Sequence, residues 1–133
     1  MADINMQVEV EVNPTEDIGK VRMAVENIFG SLRFEEKPLR RDSILETSVK
    51  DIEGLSKFGN LLRRERIRDA ARSVLFQGLK GNTITFYLNK QVAYSGHISF
   101  SEPVAESPLG PIKVRITCDN PRKLIDWLAP RTA

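Results

Sequence analysis

The sequence has one cysteine, Cys118, one histidine, His97, and one tryptophan, Trp127. A single cysteine excludes an intrachain disulfide framework and a cysteine-rich metal centre. A single histidine with no cysteine cluster beside it leaves no ligand set for a zinc-type site. No stretch approaches the about 20 consecutive apolar residues of a membrane-spanning helix. The opening MADINMQVEVEV has neither a basic region nor a long apolar run, so it does not read as a secretory signal, and the expectation is a cytoplasmic protein with no membrane attachment. There is no GxSxG nucleophile elbow and no GxxxxGK(S/T) phosphate loop. No catalytic constellation and no cofactor are therefore expected, and an enzyme is the least favoured class.

What is present is ordinary globular material. The 133 residues suit one domain over 1–133. A chain of that length buries roughly two-thirds of its extended surface without help from metals or disulfides. Apolar residues make up 41% and charged residues 29%, away from the disordered regime. The net charge of +2 is small, but its distribution is uneven. Asp3, Glu9, Glu11, Glu16 and Asp17 all precede the first lysine, Lys20. Residues 57–72 carry Lys57, Arg63, Arg64, Arg66, Arg68 and Arg72 against Glu65 and Asp69. The chain begins acidic and has a basic middle.

Met6, Val8, Val10 and Val12 alternate with polar residues, which predicts a half-buried strand. Asn13, Pro14 and Glu16 read as a helix start, with Thr15 as an alternative cap, and Ile18, Val21, Val25 and Ile28 form one apolar stripe up to Gly30. Residues 31–42 read as a loop, with Pro38 and the charged Arg40, Arg41 and Asp42. A second strand over 44–50 would turn Leu45, Thr47 and Val49 inward. Residues 51–78 are helical, but their apolar stripes are out of phase. Continuing the first stripe would bury Arg66 and Asp69, so a break falls within 59–66 and makes two helices. Ile84, Phe86 and Leu88, then Ile98 and Phe100, then Ile112, Val114, Ile116 and Cys118 predict a three-stranded meander, with a turn at Asn89-Lys90-Gln91 and a proline-rich loop over 102–111. Asn120-Pro121 starts a last helix, ended by Pro130. The expected fold is α+β, ordered β-α-β-α-α-β-β-β-α, with a five-stranded antiparallel or mixed sheet and helices mainly on one face.

Four segments, IRDAAR (67–72), YLNKQVA (87–93), SPLGPI (107–112) and IDWLAPRT (125–132), with the opening EVNPTED (11–17), resemble an archaeal family, uncharacterised protein family 0201 (UPF0201). The resemblance spans nearly the whole chain. It implies a ribosomal-protein-L-five-like α+β fold and an RNA-binding role read largely from that fold. Some members of the family are joined to a P-loop nucleotide-kinase-like domain, so a kinase-like partner is a second implication.

The residues that could serve RNA are cations. Lys57, Arg63, Arg64, Arg68 and Arg72 could hold phosphates, because neutralising phosphates releases condensed counterions and arginine adds bidentate geometry. The competing reading is a solvated helix face whose charges pair with Glu65 and Asp69. Lys90, Lys113 and Arg115 are auxiliary candidates, Lys90 from the turn and the others from a polar sheet face shared with Tyr87 and His97. Pairing with Glu9, Glu11 and Glu46 would explain that face equally well. Cys118 and Trp127 read as core, and Asp126 as a surface or helix-pairing residue. RNA binding without catalysis leads. The alternative is a protein-interaction module, a homodimer or the companion of a nucleotide kinase.

Overall fold

The computed structural model describes residues 4–30, 32–38, 43–50, 53–101 and 111–131. Arg40, Arg41 and Asp42, the start of the 51–78 helical segment and all of the proline-rich loop but Pro111 lie outside the described residues. Among them the strands are β1 (Asn5–Val12), β2 (Glu35–Pro38), β3 (Ser43–Val49), β4 (Leu79–Lys80), β5 (Thr83–Asn89), β6 (Phe100–Ser101) and β7 (Pro111–Thr117). The helices are α1 (Ile18–Phe29), α2 (Glu53–Arg64), α3 (Arg68–Gln77), α4 (Lys90–Tyr94) and α5 (Pro121–Leu128). The class is α+β as expected, but the antiparallel sheet has seven described strands rather than five.

Period-two alternation decides which face each strand buries. The pairing register lines the inward residues into rows across four strands: Leu45, Val10, Ile112 and Leu88; then Thr47, Val8, Val114 and Phe86; then Val49, Met6, Ile116 and Ile84. Against these rows lie Val21, Val25 and Ile28 of α1, Leu55, Phe58 and Leu62 of α2, Ala71 and Leu75 of α3, and Leu124, Ile125 and Leu128 of α5. Phe58 sits between layers. Its ring lies 5.4 Å from Phe29 of α1 and 5.4 Å from Phe86 of β5, and Phe86 in turn lies 6.0 Å from Phe100 of β6. No described helix is long and apolar enough to cross a membrane.

Four local expectations change. Asn13 does not start α1. The Asn13 N–H donates to Glu16 Oε1 at 3.0 Å inside a separate turn, and Asp17 is the cap that accepts from the Gly19 N–H at 2.8 Å. Residues 35–38 form an edge strand on β3 instead of a loop; all four are exposed, so no alternation marked them. Asn89 is a helix cap rather than a turn residue, its Oδ1 accepting from the Val92 N–H at 3.1 Å to begin α4. The meander is reordered as well. β7 lies between β1 and β5, and β6 pairs with the opposite edge of β5, beyond β4's pairing with Ile84 and Thr83. The break between the helices, by contrast, falls at residues 65–67, where expected but for its end.

Lys90 opens α4 and is fully buried. Its ammonium donates to the Glu11 carbonyl at 2.7 Å and to Glu16 Oε1 at 3.0 Å. The Tyr94 hydroxyl donates to the same carboxylate at 3.2 Å. Burial pushes the Glu16 carboxyl up, but the Asn13 N–H and the Lys90 ammonium outweigh it and hold the group below its ordinary value. Burial and the Glu16 charge together push the Tyr94 hydroxyl up from 10.0 to about 12.

Glu16→Gln would leave a buried ammonium without its counter-charge, and we expect a loss of about 3–5 kcal/mol in urea denaturation. The pH dependence follows from the two shifts. A carboxyl depressed by folding contributes above its unfolded value of 4.5 and loses that contribution as pH falls through the lower folded value. A hydroxyl raised by folding contributes fully below pH 10.0 and loses it as pH rises toward about 12. Tyr94→Phe should flatten the alkaline arm of the stability profile and leave the acid arm in place.

Candidate nucleic-acid interface

The α2–α3 corner gathers the basic middle of the chain. The Ile67 N–H reaches the Leu62 carbonyl at 3.1 Å and the Arg66 N–H reaches the Arg63 carbonyl at 3.2 Å. This pair of bonds is a Schellman closure of α2, with Arg66 in the left-handed position at φ 58°. That position favours glycine, and a side chain there costs about 1 kcal/mol. Two residues on comes a second local conflict. Arg68 opens α3, where the macrodipole disfavours a cation although it suits Asp69 beside it, and the N-cap Ile67 supplies no side-chain acceptor. Arg63 and Arg64 sit in the last turn of α2, which suits their charge. Arg63, Arg64 and Arg66 are exposed, Arg68 is half-buried, and none of the four has an ion pair among the described residues. Glu65, the acid between them, is turned away: its Oε1 accepts from the Ile98 N–H at 3.2 Å and its Oε2 lies 3.2 Å from His97 Nδ1.

Three other predicted cations have different surroundings. Arg72 donates to Asp126 at 2.7 Å and to the Ala129 carbonyl at 3.2 Å, and its guanidinium lies 5.0 Å from the Phe76 ring centroid. It fastens α3 to α5, with Asp126 in the helix-pairing role. Lys57 donates to the Glu26 carbonyl at 3.2 Å, at the C-terminal turn of α1. Lys90, expected at a surface turn, is the buried partner of Glu16; its ammonium is spent inside the fold, so it cannot meet a phosphate at the surface.

Lys113 and Arg115 lie on the outer face of β7, in the middle of the sheet. The register places Lys113 between Glu9 and Tyr87, and Arg115 between Gln7 and Thr85. The first of these rows continues through Glu46 to Glu35, so the open face is acidic over β1–β3 and basic over β7. Lys37 pairs with Glu46 at 2.8 Å; Lys113 and Arg115 have no ion pair among the described residues. Beside them a groove of about 630 Å³ runs between the sheet and α3, lined by Gln77, Lys80, Thr83, Thr85, Tyr87 and Arg115. His97 is not on this face: it lies outside the strands, beside Glu65. Among the described residues no group of His, Cys, Asp and Glu could hold a metal ion.

Two residues outside the predicted set belong to the surface. Arg66 could have been singled out, because an arginine at a helix break must either cap or stand exposed. Trp127, expected in the core, is 44% exposed. Pro121, Leu124, Ile125 and Leu128 already fill the inner stripe of α5, and Trp127 lies off its axis.

A family model described as RNA binding matches residues 5–118. A UPF0201 protein of Sulfurisphaera tokodaii is 49% identical over 126 residues, covering 95% of this chain and 87% of the relative. A UPF0201 protein of Pyrobaculum aerophilum is 45% identical, covering 96% and 91%. Among solved structures, a UPF0201 protein from Methanococcus jannaschii superposes with a TM-score of 0.85 at 35% identity, covering 97% of this chain and 95% of that one. A DUF54 protein from Methanothermobacter thermautotrophicus, at 19% identity and a TM-score of 0.60 over 92% and 93% of the two chains, shares the fold alone.

The two kinds of cation should separate in a stability measurement. Arg72→Met removes a half-buried guanidinium with two polar partners and should cost about 1–3 kcal/mol in chemical denaturation. Arg64→Met, with no such partner among the described residues, should stay within about 0.5 kcal/mol of the parent.

Proposed function

The chain belongs to the archaeal UPF0201 family, and from that membership together with the α2–α3 corner we propose that it binds RNA without catalysis, holding phosphates with Arg63, Arg64, Arg66 and Arg68. The observation that carries the reading is the strained position of Arg66. A glycine there would relieve the backbone, yet the chain keeps a guanidinium at φ 58° beside two more exposed arginines. Strain of this kind persists where a function uses it. The start of α3 supports the same reading: Ile67 supplies no side-chain cap there, so an anion at the corner would meet first-turn N–H groups and the cations together.

Contacts of this kind recognise the backbone rather than the bases, so the expected binding is salt-sensitive with little sequence preference. Lys113 and Arg115 act as a second, weaker patch, since Glu9 lies directly across from Lys113. Arg72, Lys57 and Lys90 have structural roles.

Binding of a labelled RNA, followed by anisotropy across a salt series, tests this. Replacing Arg63, Arg64 and Arg66 together by glutamine should weaken binding at low salt at least about tenfold and flatten the log–log salt slope by about 2. Arg66→Gly alone should bind RNA more weakly while raising stability by about 1 kcal/mol. No binding by the parent at low salt, or an unchanged slope in the triple variant, would overturn the assignment.

A further inference from the structure

Between α2 and α5, one turn from the arginine corner, lies a cleft of about 150 Å³ lined by Ser56, Gly59, Asn60, Arg63 and Trp127. It is well below the roughly 300–1,000 Å³ of pockets that engulf a small molecule. A flat group could lie on it but could not be enclosed by it. Three of its side chains are uncommitted. The Trp127 indole is 44% exposed and has no ring contact or hydrogen bond among the described residues. The Asn60 amide, exposed on α2, likewise has no hydrogen bond there, and Arg63 has no ion pair. An aromatic face, an amide that both donates and accepts, and a guanidinium are what one nucleotide needs: a surface for the base to stack on, a partner for its edge and a cation for its phosphate.

We infer that this cleft is a stacking subsite for one unpaired base of single-stranded RNA, with Trp127 under the base, Asn60 at its edge and Arg63 on the adjoining phosphate. This rests on the RNA-binding reading and sharpens it, because a duplex keeps its bases stacked on each other and cannot offer one to Trp127. The positive charge of Arg63, shared with the corner, favours a polyanion over an apolar protein surface as the occupant.

Trp127 is the one tryptophan of the chain, so all indole emission reports on this cleft. The full chain would be titrated with a short single-stranded oligouridylate and with an RNA duplex of equal length. Indole emission and the anisotropy of the labelled RNA would be read in parallel. Quenching that tracks the anisotropy for the single strand but not for the duplex is expected. Trp127→Ala should weaken single-strand binding about 5- to 100-fold, with Trp127→Phe keeping most of it and circular dichroism confirming that both fold. RNA binding with unchanged emission and with Trp127→Ala at parental affinity would overturn the subsite and leave the RNA reading standing. No anisotropy change for any RNA at low salt would remove both. Emission that shifts with protein concentration in the absence of RNA would assign the cleft to a second copy of the chain and overturn the subsite.

Discussion

The buried ion pair of Lys90 and Glu16 is the constraint on which the rest of the architecture turns. β1 and β5 are not neighbours; β7 runs between them. Lys90, the residue that follows β5, reaches over to the Glu11 carbonyl near the end of β1 and to Glu16 in the turn beyond it. An ammonium at zero exposure tolerates little displacement, because any loss of partner leaves a charge in a low-dielectric interior. The contact thereby fixes the β1, β7 and β5 ends relative to one another. It also seats α4 against α1, where the Asn27 amide donates to the Ala93 carbonyl at 3.0 Å. Given that alignment, the inward rows meet the helices, and the outward row from Glu9 through Lys113 to Tyr87 divides the open face into an acidic and a basic half.

Residues of one type meet different fates here according to what surrounds them. Arg72 and Lys57 end on helix carbonyls, Arg72 with a carboxylate as well, and Lys90 ends in the interior. Arg63, Arg64 and Arg66 end in solvent. The α2–α3 corner breaks two local rules at once, a side chain at a glycine position and a cation at the start of a helix. Such conflicts are expected where function outweighs local stability. They give the corner a physical distinction that a count of positive charge does not.

Much of the fold was legible because alternation and stripes report burial directly. Met6 to Val12, Ile84 to Leu88 and Ile112 to Cys118 fell on the expected faces, and the cost of burying Arg66 and Asp69 located the helix break. The misses share a cause. β2 has four exposed residues and so no pattern to read, and β4 and β6 are two residues each, below the length at which alternation carries information. The strand order is set by long-range pairing, which a local pattern cannot specify. At the candidate site, clustering along the chain identified the corner but could not separate Arg72, whose partner Asp126 lies far away in sequence, from Arg64, which has none among the described residues. Lys90 looked like a turn lysine because its partners, Glu11 and Glu16, belong to the other end of the chain. Trp127 departs from the pattern because an aromatic in an amphipathic helix usually points inward, and here the inner stripe of α5 is already filled.

On this reading the arginine corner is the main contact with RNA and the sheet face at most a weaker one. Hydrogen–deuterium exchange of the full chain, with and without a saturating single-stranded RNA at low salt, tests it most directly. Slowed exchange should be greatest in the backbone amides of residues 63–70, at the α2–α3 junction and the opening turn of α3, with at most a smaller change in β7. Protection confined to β7 and β5, with the junction unaffected, would contradict it.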